Sequence, residues 1–219
     1  MSKTILIAGA TGMVGSQVLL LALASDHVSK VIVYGRRSVG LQHAKLEEYL
    51  SPEFMKFPEE LDLSKVDHIL FCVGVYTGAV KRDVFREITV DYPVALANAH
   101  TSANPSGLFT LLSGAGADRS EKSRMMFAED KGAAENKLSS LYPDRFYTLR
   151  PGYIYPVEKR SEPNFSYRLS RKMYPLLKLL GPKYSITSHQ LAEGIFNSVQ
   201  NNPEQETLEN NEILQYIQA

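Results

Sequence analysis

The 219-residue chain balances 24 Lys plus Arg against 24 Asp plus Glu, is 44% hydrophobic and contains one cysteine. A formal net charge of zero excludes an overall field drawing in nucleic acid or an anionic membrane, so that only a local basic patch remains open. The single Cys72 excludes an intramolecular disulfide framework, and inside the apolar run HILFCVG it reads as a small buried hydrophobe.

The length predicts one domain with an appendage, large enough to bury about 70% of its unfolded surface without a staple. In chain order, TILIAGA (4–10) reads as a strand and 13–24 as a helix. KVIVYG (30–35) is the next strand, and 41–56 is the least clear connection. HILFCVG (68–74) is a strand, followed by a helical segment over 82–100 that Pro93 interrupts, giving a kink or a late helix start. LFTLLSG (108–114) is a strand, 124–141 a helix with Met125 and Met126 as apolar positions, and RFYTLRPG (145–152) a further strand. The strands are apolar nearly throughout, as strands buried on both faces are, and they alternate with helices. This pattern predicts an α/β, doubly wound parallel sheet.

After Gly152 the texture shifts to proline, tyrosine and basic residues, and Ser188 is placed to cap a last helix, HQLAEGIFNSVQ. A small C-terminal substrate lobe, carried by 153–185 within a single domain of 1–219, fits this region. No charged leader or cleavage site frames the first apolar run, and the longest run, VLLLALA (18–24), is too short to span a bilayer. A soluble, cytoplasmic protein without a membrane span is expected.

Gly9, Gly12 and Gly15 follow a strand and open a helix, the context of a dinucleotide fingerprint. Gly9 allows the turn, Gly12 lets backbone approach a pyrophosphate, and Gly15 lets the helix pack closely on the sheet. The helix N-terminus adds about 0.3–1 kcal/mol from its dipole. Three glycines also occur in turns without a ligand, but this position and the following βαβ pattern favour nucleotide binding. Gly9, Thr11, Gly12, Met13, Val14 and Gly15 are the expected contacts. No Gly-Lys-Ser/Thr follows, which excludes a triphosphate P-loop.

An NAD site places an acid about 20 residues further on, at the end of the second strand. Here no Asp or Glu occurs between Asp26 and Glu47, and Arg36 and Arg37 stand there instead. Guanidinium groups suit a 2′-phosphate, so NADP(H) is expected in preference to NAD(H). Solvated surface arginines are the bland alternative.

With GATGMVG, YGRR, LLSGAGAD, a lysine in the following helix and LRPG, the chain resembles the short-chain dehydrogenase/reductase superfamily. It is most similar to the atypical group that includes Tat-interacting-protein-like oxidoreductases and nucleoside-diphosphate-sugar epimerases. The resemblance is strong over the cofactor half and weak after about Tyr155. It implies a seven-stranded Rossmann core, with Val73 and Gly74 of FCVG under the adenosine and linking phosphates. It also implies Ser113 as the active-site serine and Lys131 as the lysine that holds the nicotinamide ribose. Pro151, Gly152, Tyr153 and Ile154 match the loop beside the nicotinamide.

The family pattern is Tyr-x-x-x-Lys, whereas this chain reads Phe127 to Lys131. Phe127 has the ring without the hydroxyl, and Thr89 stands where the superfamily has an asparagine. Losing a positioned general acid costs about 10²–10⁴ in rate. Tyr76, Tyr153 and Tyr155 are candidate substitutes, each also readable as a pocket wall. The histidines at 27, 43, 68, 100 and 189 show no metal-ligand spacing, and no metal is expected; His189 near the lobe reads as a surface residue.

Two functions remain open. One is an NADP(H)-dependent oxidoreductase or epimerase-like enzyme on a small carbonyl substrate, with Ser113 and Lys131 polarising the carbonyl directly or through water. The other is a non-catalytic NADP(H)-binding redox sensor or scaffold. Oligomeric state, monomer or homodimer, is left open.

Overall fold

Residues of β1 (Lys3–Ala8) alternate between two buried surfaces, and this explains the architecture. Ile5 and Ile7 pack on one side with Val18, Leu19, Leu191 and Ile195. Leu6 and Ala8 pack on the other with Phe71, Leu96, Phe109 and Leu138. Successive side chains of a strand point to opposite faces, so a strand covered on both sides is apolar at nearly every position. Each such Leu or Ile contributes about 1.5–3 kcal/mol on burial.

The computed structural model describes residues 2–158, 174, 181 and 183–218. After β1 come α1 (Gly15–Ala24), β2 (Val28–Gly35), β3 (Leu46–Leu50) and β4 (His68–Phe71). Then follow α2 (Arg82–Arg86), a π-helical turn (Glu87–Asp91), α3 (Tyr92–Ala103) and β5 (Leu108–Leu112). The rest comprises α4 (Met126–Leu141), β6 (Phe146–Arg150), β7 (Tyr153–Tyr155), β8 (Ser185–Thr187), α5 (Ser188–Gln200), β9 (Thr207–Glu209) and α6 (Asn210–Tyr216). Seven strands form one parallel sheet in the order β3-β2-β1-β4-β5-β6-β9, while β7 and β8 pair in parallel beside it. This is the doubly wound, Rossmann-like α/β fold expected.

The order reverses between β1 and β4, where connections leave to opposite sides of the sheet. The crevice outside the carboxyl ends of such strands is where ligands enter doubly wound sheets.

Several local expectations shift. The connection over 41–56 contains β3, an edge strand. The 82–100 segment runs on through the π turn, with Pro93 in the first turn of α3, where its missing N–H costs least. Ser188 is the first residue of α5 rather than its cap. Thr187 caps it, accepting from the Gln190 N–H at 3.2 Å, while the Gln190 side chain accepts from the Thr187 N–H at 3.1 Å. Most of the 153–185 lobe segment lies outside the described residues.

Candidate functional site

The β1–α1 turn is built from glycines that the backbone requires. Gly9 has φ +89°, and a Cβ there would lie 2.7 Å from the Cys72 carbonyl carbon. The turn out of β1 is therefore pressed against the end of β4. At Gly15 a Cβ would meet the Gly9 oxygen at 2.2 Å, so this glycine lets the helix start fold back on the turn. Gly12 differs, because its Cβ would meet only the Gly9 oxygen, at 3.1 Å, and the residue lines a cavity. Among the described residues no side chain caps α1, and no acid sits in its first turn, an arrangement that can accept an outside anion.

That first cavity measures about 190 Å³. Gly9, Thr11 and Gly12 form its floor with Val73 and Gly74, and Arg36 and Arg37 reach it from the end of β2. Phe54 and Tyr92, stacked at 4.6 Å and 10°, supply an aromatic wall. The Tyr34 hydroxyl, buried beneath, holds Phe54 by donating to its carbonyl oxygen at 2.5 Å. No Asp or Glu is among the described residues lining this cavity. Glu48 of β3 does approach the loop after Arg37, but its carboxylate accepts from Ser38 Oγ and the Val39 N–H, each at 2.7 Å.

A second cavity of about 240 Å³ continues from Met13 and Tyr76. Ser113, Gly114, Phe127, Pro151, Gly152, Tyr153, Ile154 and Pro156 complete it. Phe127 lies in the first turn of α4 with its ring tip against the loop after β5. A Cβ on Gly114 would fall 2.6 Å from Phe127 Cζ. The expected cofactor residues thus divide between two cavities, with Met13 and 151–154 in the second. Val14, Gly15 and Lys131 line neither.

Ser113 and Lys131 are both engaged by the protein. Ser113 Oγ donates to Glu135 Oε1 at 2.6 Å, and Glu135 is fully buried. The same carboxylate accepts from Thr148 Oγ1 at 3.2 Å, Arg150 Nε at 3.0 Å, Arg150 Nη2 at 2.5 Å and Arg119 Nε at 2.9 Å. Burial pushes the Glu135 carboxyl up, but the hydrogen bonds from Arg150, Ser113 and Arg119 together outweigh it and leave its pKa lowered. Lys131 Nζ donates to the Leu112 carbonyl oxygen at 3.1 Å, and burial pulls its pKa down to about 8 against the opposing pull of Glu135.

Around this centre, Gly132 lets α4 touch the loop after β5, since a Cβ there would lie 1.8 Å from the Asp118 carbonyl oxygen. Buried Asp130 ties α4 to α2 through a bidentate pair with Arg82 and a 2.7 Å bond from Arg86. Thr89 is buried in the π turn. Tyr155 stacks on Tyr174 at 3.9 Å, and His189 is exposed. Sequence reasoning missed Phe54, Tyr92 and Glu135. Only Glu135 had a local signal, because it continues the four-residue spacing of Phe127 and Lys131.

No family model matches the chain. Protein HTATIP2 of Rattus norvegicus is 28% identical over 165 residues, 74% of this chain and 67% of that relative. Protein FMP52, mitochondrial, of Debaryomyces hansenii is 29% identical over 159 residues, 71% of this chain and 69% of that relative. Among solved structures, a short chain dehydrogenase family protein of Francisella tularensis superposes with a TM-score of 0.61 at 14% identity, covering 92% of each chain. The FMP52 relatives are named mitochondrial, which corrects the expectation of a cytoplasmic location. Among the described residues, no helix is long and apolar enough to cross a membrane. The chain is thus similar to HTATIP2 and the FMP52 proteins, and it shares the seven-stranded, Rossmann-like fold of the short chain dehydrogenase family structure.

Proposed function

We propose that the chain binds NADP(H) in the first cavity and is an oxidoreductase acting on a small, largely apolar molecule in the second. The observation that carries the reading is the pairing of a helix start without a side-chain cap among the described residues, two close-packed glycines and an open Gly12 with an arginine-lined, acid-free cavity. The residues present fit the group. Gly12 leaves the backbone open to a pyrophosphate, Arg36 and Arg37 offer planar donors to a 2′-phosphate, and the Phe54–Tyr92 wall suits an aromatic base. When bound, the cofactor supplies hydride transfer. The chain supplies the apolar walls that exclude water and the polar atoms of Ser113, Tyr76 and Tyr153 for orientation.

Carbonyl chemistry of the usual tyrosine-dependent kind is not what these residues support. Phe127 lacks the acid, Ser113 donates its hydrogen bond to Glu135, and Lys131 donates to the Leu112 carbonyl oxygen. The enzyme reading therefore assigns the proton to the phenol of Tyr76 or Tyr153. The same three features favour a second reading, a non-catalytic NADP(H)-binding sensor or scaffold.

Calorimetric titration with NADPH and NADH tests the cofactor assignment, with NADPH expected to bind more tightly. A scan of small carbonyls and alcohols for cofactor turnover, on protein already shown to bind NADPH, separates the two readings. Turnover that Tyr76→Phe or Tyr153→Phe abolishes supports the enzyme, and its complete absence supports the sensor.

A further inference from the structure

We propose that Glu135 fixes Ser113 as a hydrogen-bond acceptor toward the second cavity, so that the site selects a ligand presenting a hydroxyl donor, an alcohol, over the carbonyl of the same skeleton. The inference rests on reading the second cavity as the small-ligand site.

A serine hydroxyl has one proton and two lone pairs. The Ser113 proton lies in the 2.6 Å bond to Glu135 Oε1. Glu135 cannot return it, because an ionised carboxylate only accepts. Its other bonds, from Thr148, Arg150 and Arg119, are all donations into the same two oxygens. Two guanidinium groups keep it ionised, and its lowered pKa agrees. Reversing the serine would give up the shortest of the three bonds to Oε1, and a hydrogen bond to a charged group is worth more than the neutral one gained in exchange.

Toward the cavity, Ser113 therefore offers lone pairs. A carbonyl oxygen set against them finds lone pair facing lone pair, while a hydroxyl donates. The position from which a tyrosine would have given a carbonyl its donor is Phe127, which presents carbon. Glu135 thus acts as a positioning residue through Ser113. This differs from the serine's expected role of polarising a carbonyl.

Ligand-observed NMR can measure the affinities of cyclohexanol and cyclohexanone, each with saturating NADP⁺, with NADPH and without cofactor. The alcohol is expected to bind about 3- to 10-fold more tightly in every state, the span of one neutral hydrogen bond. Ser113→Ala should bring the two affinities within about twofold, and it isolates the serine from the phenols of Tyr76 and Tyr153 in the same cavity. A ketone that binds wild type as tightly as the alcohol overturns the proposal. So does an alcohol preference that survives Ser113→Ala. Because the pair is also measured without cofactor, a failure to bind NADPH counts against the cofactor reading alone.

Discussion

Replacing Glu135 by glutamine keeps the side chain's shape and removes its charge. In the native protein its two oxygens accept five hydrogen bonds, three of them from guanidinium nitrogens. An amide keeps one acceptor and turns an NH₂ toward either Arg150 Nη2 and Arg119 Nε or Arg150 Nε and Ser113. Removing one partner of a buried ion pair costs about 3–5 kcal/mol. Here the arginines are 14% and 31% exposed at the side chain and keep second partners, Glu209 at 3.0 Å and Glu206 at 2.6 Å. The loss should therefore fall at or just below the lower limit of that range, about 2–3 kcal/mol. For a chain of this length that is a fall in Tm of roughly 4–12 °C.

The pH dependence has a defined sign. The folded pKa of Glu135 lies below its unfolded value, so its contribution is present at neutral pH and is lost as pH falls through the folded pKa. Thermal unfolding of wild type and Glu135→Gln from pH 7 to pH 3 should show a gap that narrows on acidification. A difference under about 1 °C at pH 7, or a gap that widens toward acid, would refute the account of the network.

Arg36→Ala with Arg37→Ala should weaken NADPH binding at least tenfold and leave NADH nearly unchanged, read by calorimetry, since charged hydrogen bonds are worth about 1.5–3 kcal/mol each. Gly12→Val should abolish cofactor binding with a near-native circular dichroism spectrum, because the added atoms enter the cavity and the nearest protein atom, the Gly9 oxygen, need yield only slightly. Lys131, with a folded pKa of about 8 against an unfolded value near 10.4, binds fewer protons folded than unfolded between them. Its contribution to stability should rise with pH over that window, and Lys131→Met should remove this rise in Tm. Phe127→Tyr should gain measurable NADPH-dependent reduction of a reactive quinone over wild type, because it returns a phenol to the wall that Ser113 shares.

The central strands were legible because burial on both faces leaves few polar positions, with buried His68, Thr110 and Thr148 as the exceptions. The edges were not. β3 reads LEEYL with no fully buried residue, and β9 has three residues, of which only Leu208 is buried. Neither has enough apolar surface to show in a sequence, and pairing with β2 and β6 defines them. The α5 cap was readable in principle, since Thr187 and Gln190 have capping-box spacing and Ser188 has no Glu or Gln three residues later. The glycine turn was legible because its requirements are local. Phe54 and Tyr92 were not, because their stacking joins the loop after β3 to the start of α3, far apart in the chain.

Phe127, Lys131 and Glu135 occupy one stripe of α4, spaced four apart, and each meets a different residue at the end of β5. Phe127 lies against Gly114, Lys131 donates to the Leu112 oxygen, and Glu135 accepts from Ser113. The phenyl ring at 127 is therefore one of three neighbouring features of this stripe. A tyrosine and serine that share a substrate oxygen must between them give it a proton. Once the serine's hydrogen bond is directed to Glu135, the whole donation would fall on position 127, and a phenylalanine there leaves a carbonyl oxygen nothing on this stripe to accept from. An alcohol suffers no such deficit, because it brings its own proton and needs only the lone pairs that Ser113 retains. On the proposed reading, the phenyl ring at 127 and the buried carboxylate at 135 thus favour the same ligand, because the lone pairs that Glu135 leaves on Ser113 ask for a donor that the ring cannot supply.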